Sequence, residues 1–197
     1  MEYKIYLASK SPRRKELLTL MGLDFEVLVA DVDESCDEGL CGGELCRELS
    51  RRKAQEVFRV LREQNRHENA LIIAADTLVF LDGKPLGKPK DEQHARDMLR
   101  ELSGTVHTVC TGISVMTEDT ITTEFEETEV VFRTIDESEI NGYVATREPM
   151  DKAGAYGIQG LGASLVEGIK GDYFNVVGLP ICRLARVLRR EFGITLF

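Results

Sequence analysis

The segment at residues 9–14 reads SKSPRR and has the composition of an anion-binding turn. It follows a run of strand formers, and Ser11 and Pro12 are typical of the N-cap and the first position of a helix. The helix N-terminus favours an anion, whereas Arg13 and Arg14 are cations, which that end disfavours. Bound phosphate groups would remove this conflict, because arginine donates paired hydrogen bonds to phosphate oxygens. The alternative is an arginine pair that forms ordinary surface ion pairs.

Asp76 is the second candidate, because it follows the apolar run Ala70–Ala75. Open α/β sheets bind ligands beyond the C-terminal ends of their strands, so this carboxylate is predicted to lie at a site. The alternative is an aspartate that caps the turn into Thr77. Lys53 lies on the apolar stripe of a predicted helix, where a lysine either extends to solvent or points to an anion. Lys88 follows a predicted hairpin.

An acidic cluster and a glycine-rich loop are weaker candidates. Glu34 ends a cluster with Asp31 and Asp33, which either binds Mg²⁺ together with phosphate oxygens or forms a solvated loop. The loop around Gln159 lacks the order of a Walker phosphate-binding motif, and its glycines could equally serve tight turns. The three histidines lack metal-ligand spacing and are interpreted as structural or solvated.

Together these side chains supply two kinds of group. Four cations can neutralise a polyphosphate: Arg13, Arg14, Lys53 and Lys88. Two carboxylates can hold a metal ion or orient a water molecule: Glu34 and Asp76. Hydrolysis of a nucleotide phosphoanhydride requires this combination.

The elements that must position these residues are a mixture of strands and helices. Strands are predicted at 3–8, 25–30, 70–75 with an extended continuation to 81, 84–86, 105–116, 120–132, 165–169 and 173–177. Helices are predicted at 12–21, 44–63 and 91–102, after the N-cap Asp136, and from Pro180 onward. This order predicts an α/β fold on a mixed sheet. Residues 1–197 are expected to form a single domain, with the 105–132 hairpin as a second lobe.

Charge and composition exclude other classes of protein. The chain has 34 acidic and 25 basic residues, a net charge of −9, which argues against coating a nucleic acid or adhering to an anionic membrane. No apolar run is long enough to span a bilayer. The odd count of 5 cysteines favours a reducing cytoplasm. Cys36, Cys41 and Cys46 are spaced more widely than the usual zinc ligands, so they are interpreted as small, partly buried apolar residues.

Several segments resemble, in the same order, the motifs of the Maf nucleoside triphosphate pyrophosphatases. These segments are LASKSPRRKELL at 7–18, AADT at 74–77, GKP at 87–89, MLRELSG at 98–104 and DKAGAYGIQG at 151–160. The resemblance extends over residues 3–190. It implies a fold similar to that of the inosine-triphosphate pyrophosphatases, with an elongated mixed β-sheet, flanking helices and two lobes around a cleft.

The resemblance also implies hydrolysis of a nucleoside triphosphate between the α and β phosphates, assisted by a divalent cation, Mg²⁺ or Mn²⁺. At the matching positions, Asp76 activates water and shares the metal with Glu34, and Lys53 and Lys88 take part in catalysis by holding phosphates. The matching substrate-binding residues are Ser9, Arg13, Arg14, Thr77 and Gln159.

The Asp-Thr pair at 76–77 and the YGIQG loop at 156–160 are similar to those of the branch that cleaves dTTP and UTP. The amide of Gln159 can pair with the donor and acceptor edge of a pyrimidine. Two alternatives remain open: a pyrophosphatase for a modified purine nucleotide such as 7-methyl-GTP, and a non-catalytic nucleotide-binding regulator of cell division. A homodimer is expected from the family alone.

Overall fold

A mixed β-sheet with helices on both faces forms the architecture in the computed structural model, which describes residues 3–32, 40 and 42–197. The strands are β1 (Lys4–Leu7), β2 (Phe25–Val27), β3 (Ala70–Leu81), β4 (Lys84–Leu86), β5 (Val106–Met116), β6 (Ile121–Phe132) and β7 (Val166–Lys170). The helices are α1 (Pro12–Leu20), α2 (Gly42–Glu63), α3 (Glu92–Leu102), α4 (Glu137–Ala145), α5 (Tyr173–Val177) and α6 (Ile181–Phe192). Short 3₁₀ turns cover Glu148–Asp151, Ala153–Ala155 and Gly160–Leu165. The predicted α/β fold class is confirmed.

The strand order leaves an opening beside the centre of the sheet. The order is β2-β1-β3-β5-β6-β7, and β4 pairs with β3 as a hairpin. The pairs β2-β1 and β1-β3 are parallel, and the others are antiparallel. On one side of β3, strand β1 ends at Leu7, which lies opposite Ile73, whereas β3 continues to Leu81. The second half of β3 therefore has no residue of β1 beside it on that side. On the other side of β3, the 105–132 hairpin continues the sheet.

Alternation along β3 sends its side chains to two different helical layers. Leu71, Ile73 and Ala75 pack with α1 and α6. Ile72 and Ala74 pack with α2 through Ala54, Val57, Phe58 and Leu61. Two residues that follow one another in this strand therefore face opposite layers. Asp76 continues the α2 face and Thr77 the α1 face.

Helix α2 lies unusually close to β5, because Gly112 has no side chain. A Cβ atom at Gly112 would lie 2.1 Å from the carbonyl oxygen of Cys46. Gly112 is also the partner of Asp76 in the β3-β5 ladder. The close contact therefore fixes α2 directly beside the strand position that carries the carboxylate.

Two predicted strands differ from the structure. Residues 173–177 form the one-turn helix α5, because Asp172 caps Phe174 N at 2.8 Å and the turn buries Asn175, whose amide donates to Val109 O and Thr128 Oγ1. Aromatic and β-branched residues favour a strand here, and these tertiary hydrogen bonds override that preference. The second strand is shorter than predicted, since β2 ends at Val27.

Cysteines and helix hydropathy add two observations. Cys46 and Cys110 are buried free thiols and Cys182 is an exposed one, whereas Cys36 and Cys41 lie outside the described residues. Among the described residues, none of the helices combines the length and the apolar character that crossing a membrane requires.

Candidate active site

The opening beside β3 is a cleft of ≈ 810 Å³. Of the described side chains that line it, six are cationic: Lys10, Arg13, Arg14, Lys53, Lys88 and Lys152. Among the same described side chains, three are carboxylic: Asp31, Asp76 and Asp151. Cations thus outnumber carboxylates among the described lining side chains, in a chain with a net charge of −9, and this excess is suited to an anionic ligand.

The turn between β1 and α1 forms one wall of the cleft. Ser11 is the N-cap of α1 and its Oγ accepts from Arg14 N at 3.5 Å, while Pro12 stands at the start of the helix. Ser9 is buried, and its Oγ accepts from Ser11 N at 3.2 Å and from Arg14 Nη1 at 3.2 Å. The serine hydroxyls therefore fold the turn and orient an arginine at the helix N-terminus.

Arg14 is held on the Thr77 face of β3. Its Nη2 donates to Thr77 Oγ1 at 2.9 Å, and its Nε donates to the carbonyl of Gly178 at 2.8 Å. Behind Thr77, the hydroxyl of Thr111 lies 2.9 Å from Thr77 Oγ1 and donates to Asn175 O at 3.0 Å. This chain of hydrogen bonds runs from the cleft into the buried centre of the sheet. It gives the guanidinium group a fixed orientation.

Asp76 pairs with Lys53 on the opposite face of β3. Lys53 Nζ lies 2.5 Å from Asp76 Oδ1, and the two side chains are 19% and 11% exposed. Burial of this kind makes each charge depend on the other, because an isolated charge with so little solvent contact is costly. The pair keeps a carboxylate and an ammonium group together at the edge of the cleft.

The position of Asp76 in the strand differs from the prediction. Asp76 lies in the middle of β3 and not beyond its C-terminal end. The carboxyl end that opens the cleft belongs to β1, whose last residue, Leu7, pairs with Ile73. The cleft therefore opens at a C-terminal strand end, where open α/β sheets bind ligands, but that end belongs to the neighbouring strand β1.

The remaining candidates reach the cleft from the first turn of α1 and from two loops. Arg13 Nη1 lies 3.7 Å from Asp151 Oδ2 at one side of the cleft. Lys88 and Gln159 are exposed lining residues, and none of the ion pairs among the described residues includes Lys88. Glu34 lies outside the described residues. Asp33 also lies outside them, and the cleft brings together all the candidate site residues that the structure describes.

Comparison with known proteins identifies the family. The family model described as Maf-like protein matches residues 4–191. This chain belongs to the Maf family. It is 50% identical to the dTTP/UTP pyrophosphatase of Thermoanaerobacter sp. (strain X514) and 47% identical to that of Bacillus pumilus (strain SAFR-032). Each comparison covers 98% of this chain and 99% of the relative.

A solved structure shows the same fold at much lower identity. The Staphylococcus aureus Ham1 protein matches this Maf chain with a TM-score of 0.50 and 17% identity, over 83% of this chain and 79% of that one. At this identity the likeness concerns the fold alone. It agrees with the elongated mixed sheet and flanking helices that the motifs of the Maf family predict.

The described side chains of the Maf cleft can supply only part of the coordination shell of a divalent cation that binds together with a nucleotide. The described residues contain no group of three His, Cys, Asp or Glu side chains that could hold a metal ion. Mg²⁺ in nucleotide sites is usually held by about one or two carboxylates, with phosphate oxygens and water completing the shell. Asp76, beside a cationic cleft, meets this smaller requirement.

Sequence reasoning missed the residues that support the cleft from behind. Glu148 and Tyr143 contact the loop that carries Gln159. Tyr156 lines the cleft and its hydroxyl lies 2.7 Å from His107 Nε2, which is buried. Burial lowers the pKa of His107 to about 4. These side chains follow no helical or strand period. The one available signal for Glu148 was its place just before the glycine-rich segment.

Proposed function

We propose that this Maf protein hydrolyses dTTP and UTP between the α and β phosphates, giving the nucleoside monophosphate and pyrophosphate. The relatives named dTTP/UTP pyrophosphatase support this activity, since their similarity extends over nearly the whole chain. The observation that carries the chemistry is the pairing of adjacent strand residues with separate cations. Asp76 meets Lys53 on one face of β3, and Thr77 meets Arg14 on the other.

The cations bind the triphosphate. Ser9, Arg13 and Arg14 stand at the N-terminus of α1, where free N–H groups and guanidinium groups converge on phosphate oxygens. Lys53 and Lys88 approach from α2 and from the loop after β4. Charge that develops on the departing pyrophosphate is stabilised by groups already in place, which lowers the barrier without reorganisation of solvent.

Asp76 acts on the attacking water. Its Oδ1 is engaged by Lys53, so the second carboxylate oxygen is assigned to the water. As the water oxygen bonds to the α-phosphorus and the bond to the bridging oxygen breaks, Asp76 accepts the proton. A divalent cation, held by Asp76 and Glu34, would supply charge neutralisation and lower the pKa of bound water.

Two residues, Thr77 and Gln159, determine substrate choice: Thr77 through the placement of the triphosphate, and Gln159 through the base. Thr77 fixes Arg14 and thereby the triphosphate, and Gln159 offers an amide with one donor and one acceptor side from the rim of the cleft. A pyrimidine edge can satisfy both sides of that amide. The protein is expected to act on its substrate without a nucleic-acid or membrane partner, either as a single chain or as a homodimer, and to function in the cytoplasm.

The test measures pyrophosphate release from dTTP, UTP, CTP, GTP and 7-methyl-GTP with Mg²⁺ or Mn²⁺. Asp76→Asn is expected to lower kcat by about 10²–10⁴-fold while nucleotide affinity stays within a few-fold. Asp82→Asn is the matched control, because Asp82 is exposed in the β3-β4 turn at φ 49°, a conformation that asparagine adopts readily. Its kcat should be unchanged.

Three outcomes would contradict the proposal. Near-normal turnover by Asp76→Asn removes Asp76 as the proton acceptor. A preference for 7-methyl-GTP over dTTP and UTP makes the protein a modified-purine pyrophosphatase. Tight nucleotide binding without release of pyrophosphate from any of the five nucleotides favours a non-catalytic regulator.

A further inference from the structure

Behind the loop that carries Gln159 lies a carboxylate with three donors. Glu148 Oε1 accepts from the Tyr143 hydroxyl at 3.0 Å and from Gly162 N at 2.9 Å, and its Oε2 accepts from Leu161 N at 3.0 Å. Burial opposes the charge on Glu148, but these hydrogen bonds outweigh it and hold the pKa of the carboxyl below its ordinary value. Glu148 therefore binds its own loop as an anion.

The loop is shaped around this carboxylate. Gly160 has φ +72°, and a Cβ atom there would lie 2.8 Å from Glu148 Oε2. At Gly162 a Cβ atom would lie 2.4 Å from Gly157 O and 2.5 Å from the Tyr143 hydroxyl. Side chains at these two positions would displace the loop from the carboxylate. The glycines thus serve the closure of the loop on Glu148.

Both ends of the loop are fastened to the same pair of side chains. At its start, Gly157 N donates to the Tyr143 hydroxyl at 3.2 Å. At its end, Leu161 N and Gly162 N donate to Glu148. The residues between these anchors include Ile158 and Gln159, which line the cleft. The position of Gln159 is consequently set by groups that do not line the cleft themselves.

The turn that begins with Glu148 also reaches the phosphate side of the cleft. Lys152 Nζ donates to Glu148 O at 2.6 Å and to Asp151 Oδ1 at 2.6 Å. Asp151 Oδ2 in turn lies 3.7 Å from Arg13 Nη1. One short 3₁₀ turn, Glu148–Asp151, therefore connects the arginine side of the cleft with the glutamine side.

We propose that Glu148 is a positioning residue for base selection, holding Gln159 at the distance from the phosphate-binding side that a pyrimidine requires. The inference rests on the proposed role of Gln159 in reading the base. It requires no contact between Glu148 and the substrate. Loss of the carboxylate would release the loop, so that the amide of Gln159 no longer favours a pyrimidine over a purine.

The test compares kcat/KM for dTTP with kcat/KM for dGTP. In Glu148→Gln, an NH₂ group must face at least one of the N–H donors of the loop, because the carboxylate uses both oxygens. We expect the dTTP:dGTP ratio to fall roughly tenfold, mainly through KM for dTTP. Glu118→Gln, in the exposed turn between β5 and β6, is the matched control and should leave the ratio unchanged.

The variant Gln159→Ala distinguishes the proposed role of Gln159 in reading the base from the proposed role of Glu148 in positioning Gln159. If Gln159 reads the base, this variant lowers the ratio by itself, and adding Glu148→Gln lowers it no further, because both changes act through one side chain. A ratio that survives Gln159→Ala overturns the role of Gln159. A ratio that collapses in Gln159→Ala and persists in Glu148→Gln, with or without a lower Tm, overturns the role of Glu148.

A second variant guards against misfolding of Glu148→Gln. Tyr143→Phe removes one donor to Glu148 and the acceptor of Gly157 N without adding a polar group. We expect a smaller fall in the dTTP:dGTP ratio with kcat for dTTP nearly unchanged. An unaltered ratio in a folded Tyr143→Phe protein would contradict the positioning role.

Discussion

Adding one methyl group at Gly112 should impair catalysis from a position outside the cleft. The Cβ atom of alanine would lie 2.1 Å from Cys46 O and 2.6 Å from Arg47 N, both in the backbone of α2. Carbon atoms in contact need about 3.5 Å, so helix and strand must separate by roughly 1 Å or more. Lys53 lies two helical turns beyond Cys46 on α2, and Asp76 is the ladder partner of Gly112. The separation therefore stretches the 2.5 Å contact between Lys53 and Asp76.

Two magnitudes follow from this displacement. Overpacking of a core contact costs about 1–3 kcal/mol of unfolding free energy, which corresponds to several degrees in Tm. A misplacement of about 1 Å in a catalytic group costs on the order of 10²-fold in rate. Gly112→Ala should accordingly remain folded at low temperature and show kcat/KM for dTTP about 10²-fold below wild type. Pyrophosphate release and thermal unfolding, measured on the same preparation, provide both values.

Gly142→Ala is the matched control, because a Cβ atom at Gly142 in α4 meets nothing within 4 Å. Replacement of a helical glycine by alanine should raise the unfolding free energy by about 0.5–1 kcal/mol and leave kcat/KM unchanged. The reasoning is refuted if Gly112→Ala keeps kcat/KM within twofold of wild type. It is also refuted if Gly112→Ala lowers Tm but has the same activity as wild type.

Two further predictions concern pH and salt. Burial lowers the pKa of His107 to about 4 from an ordinary 6.5, so as the pH falls this histidine is protonated in the unfolded chain before it is protonated in the folded protein. The stability that the neutral histidine contributes is therefore complete above pH 6.5 and is lost as the pH falls towards 4. In urea unfolding, wild type should lose about 3 kcal/mol more than His107→Gln over that range, and parallel curves would contradict this. Lys88→Met removes an exposed cation of the cleft, so kcat/KM should fall about tenfold at low salt and much less in about 1 M NaCl, where charges are screened. An equal loss at both salt concentrations would show that Lys88 acts otherwise than by charge.

Most of the regular elements followed from local sequence. Ser11 caps α1 as predicted, Asp91 caps α3 at the start of the range predicted for that helix, and the predicted N-cap Asp136 forms a capping box with Glu139 at α4. The β3-β4 hairpin turns at Asp82 and Gly83, both with positive φ. These signals act within a few residues of chain, so no knowledge of the fold is needed to read them. Residues 173–177 were misassigned, because their conformation depends on Asn175 and its partners in β5 and β6.

The candidate site also has features that local sequence predicts and features that depend on tertiary contacts. Residue types and motif order were sufficient to single out Ser9, Arg14, Lys53 and Asp76, because phosphate chemistry restricts which side chains can serve. Which cation meets which strand residue could not be read, since Lys53 and Asp76 are brought together by the packing of α2 on β5. The support of the Gln159 loop was equally invisible, because its donors and acceptors are separated by up to 14 positions and follow no period.

The sequence by itself determined most of the helices and strands, the acidic balance and the types of side chain that binding a triphosphate would need. Caps, turns and alternating hydrophobic residues are local or periodic, and side-chain chemistry is independent of the fold. Only the tertiary structure decided that β1 ends early beside β3, that Asp76 and Thr77 face separate helical layers, and that Glu148 holds the loop that carries Gln159. Each of these depends on strand register or on contacts between distant segments. Those are fixed when the layers pack, and not by any single stretch of chain.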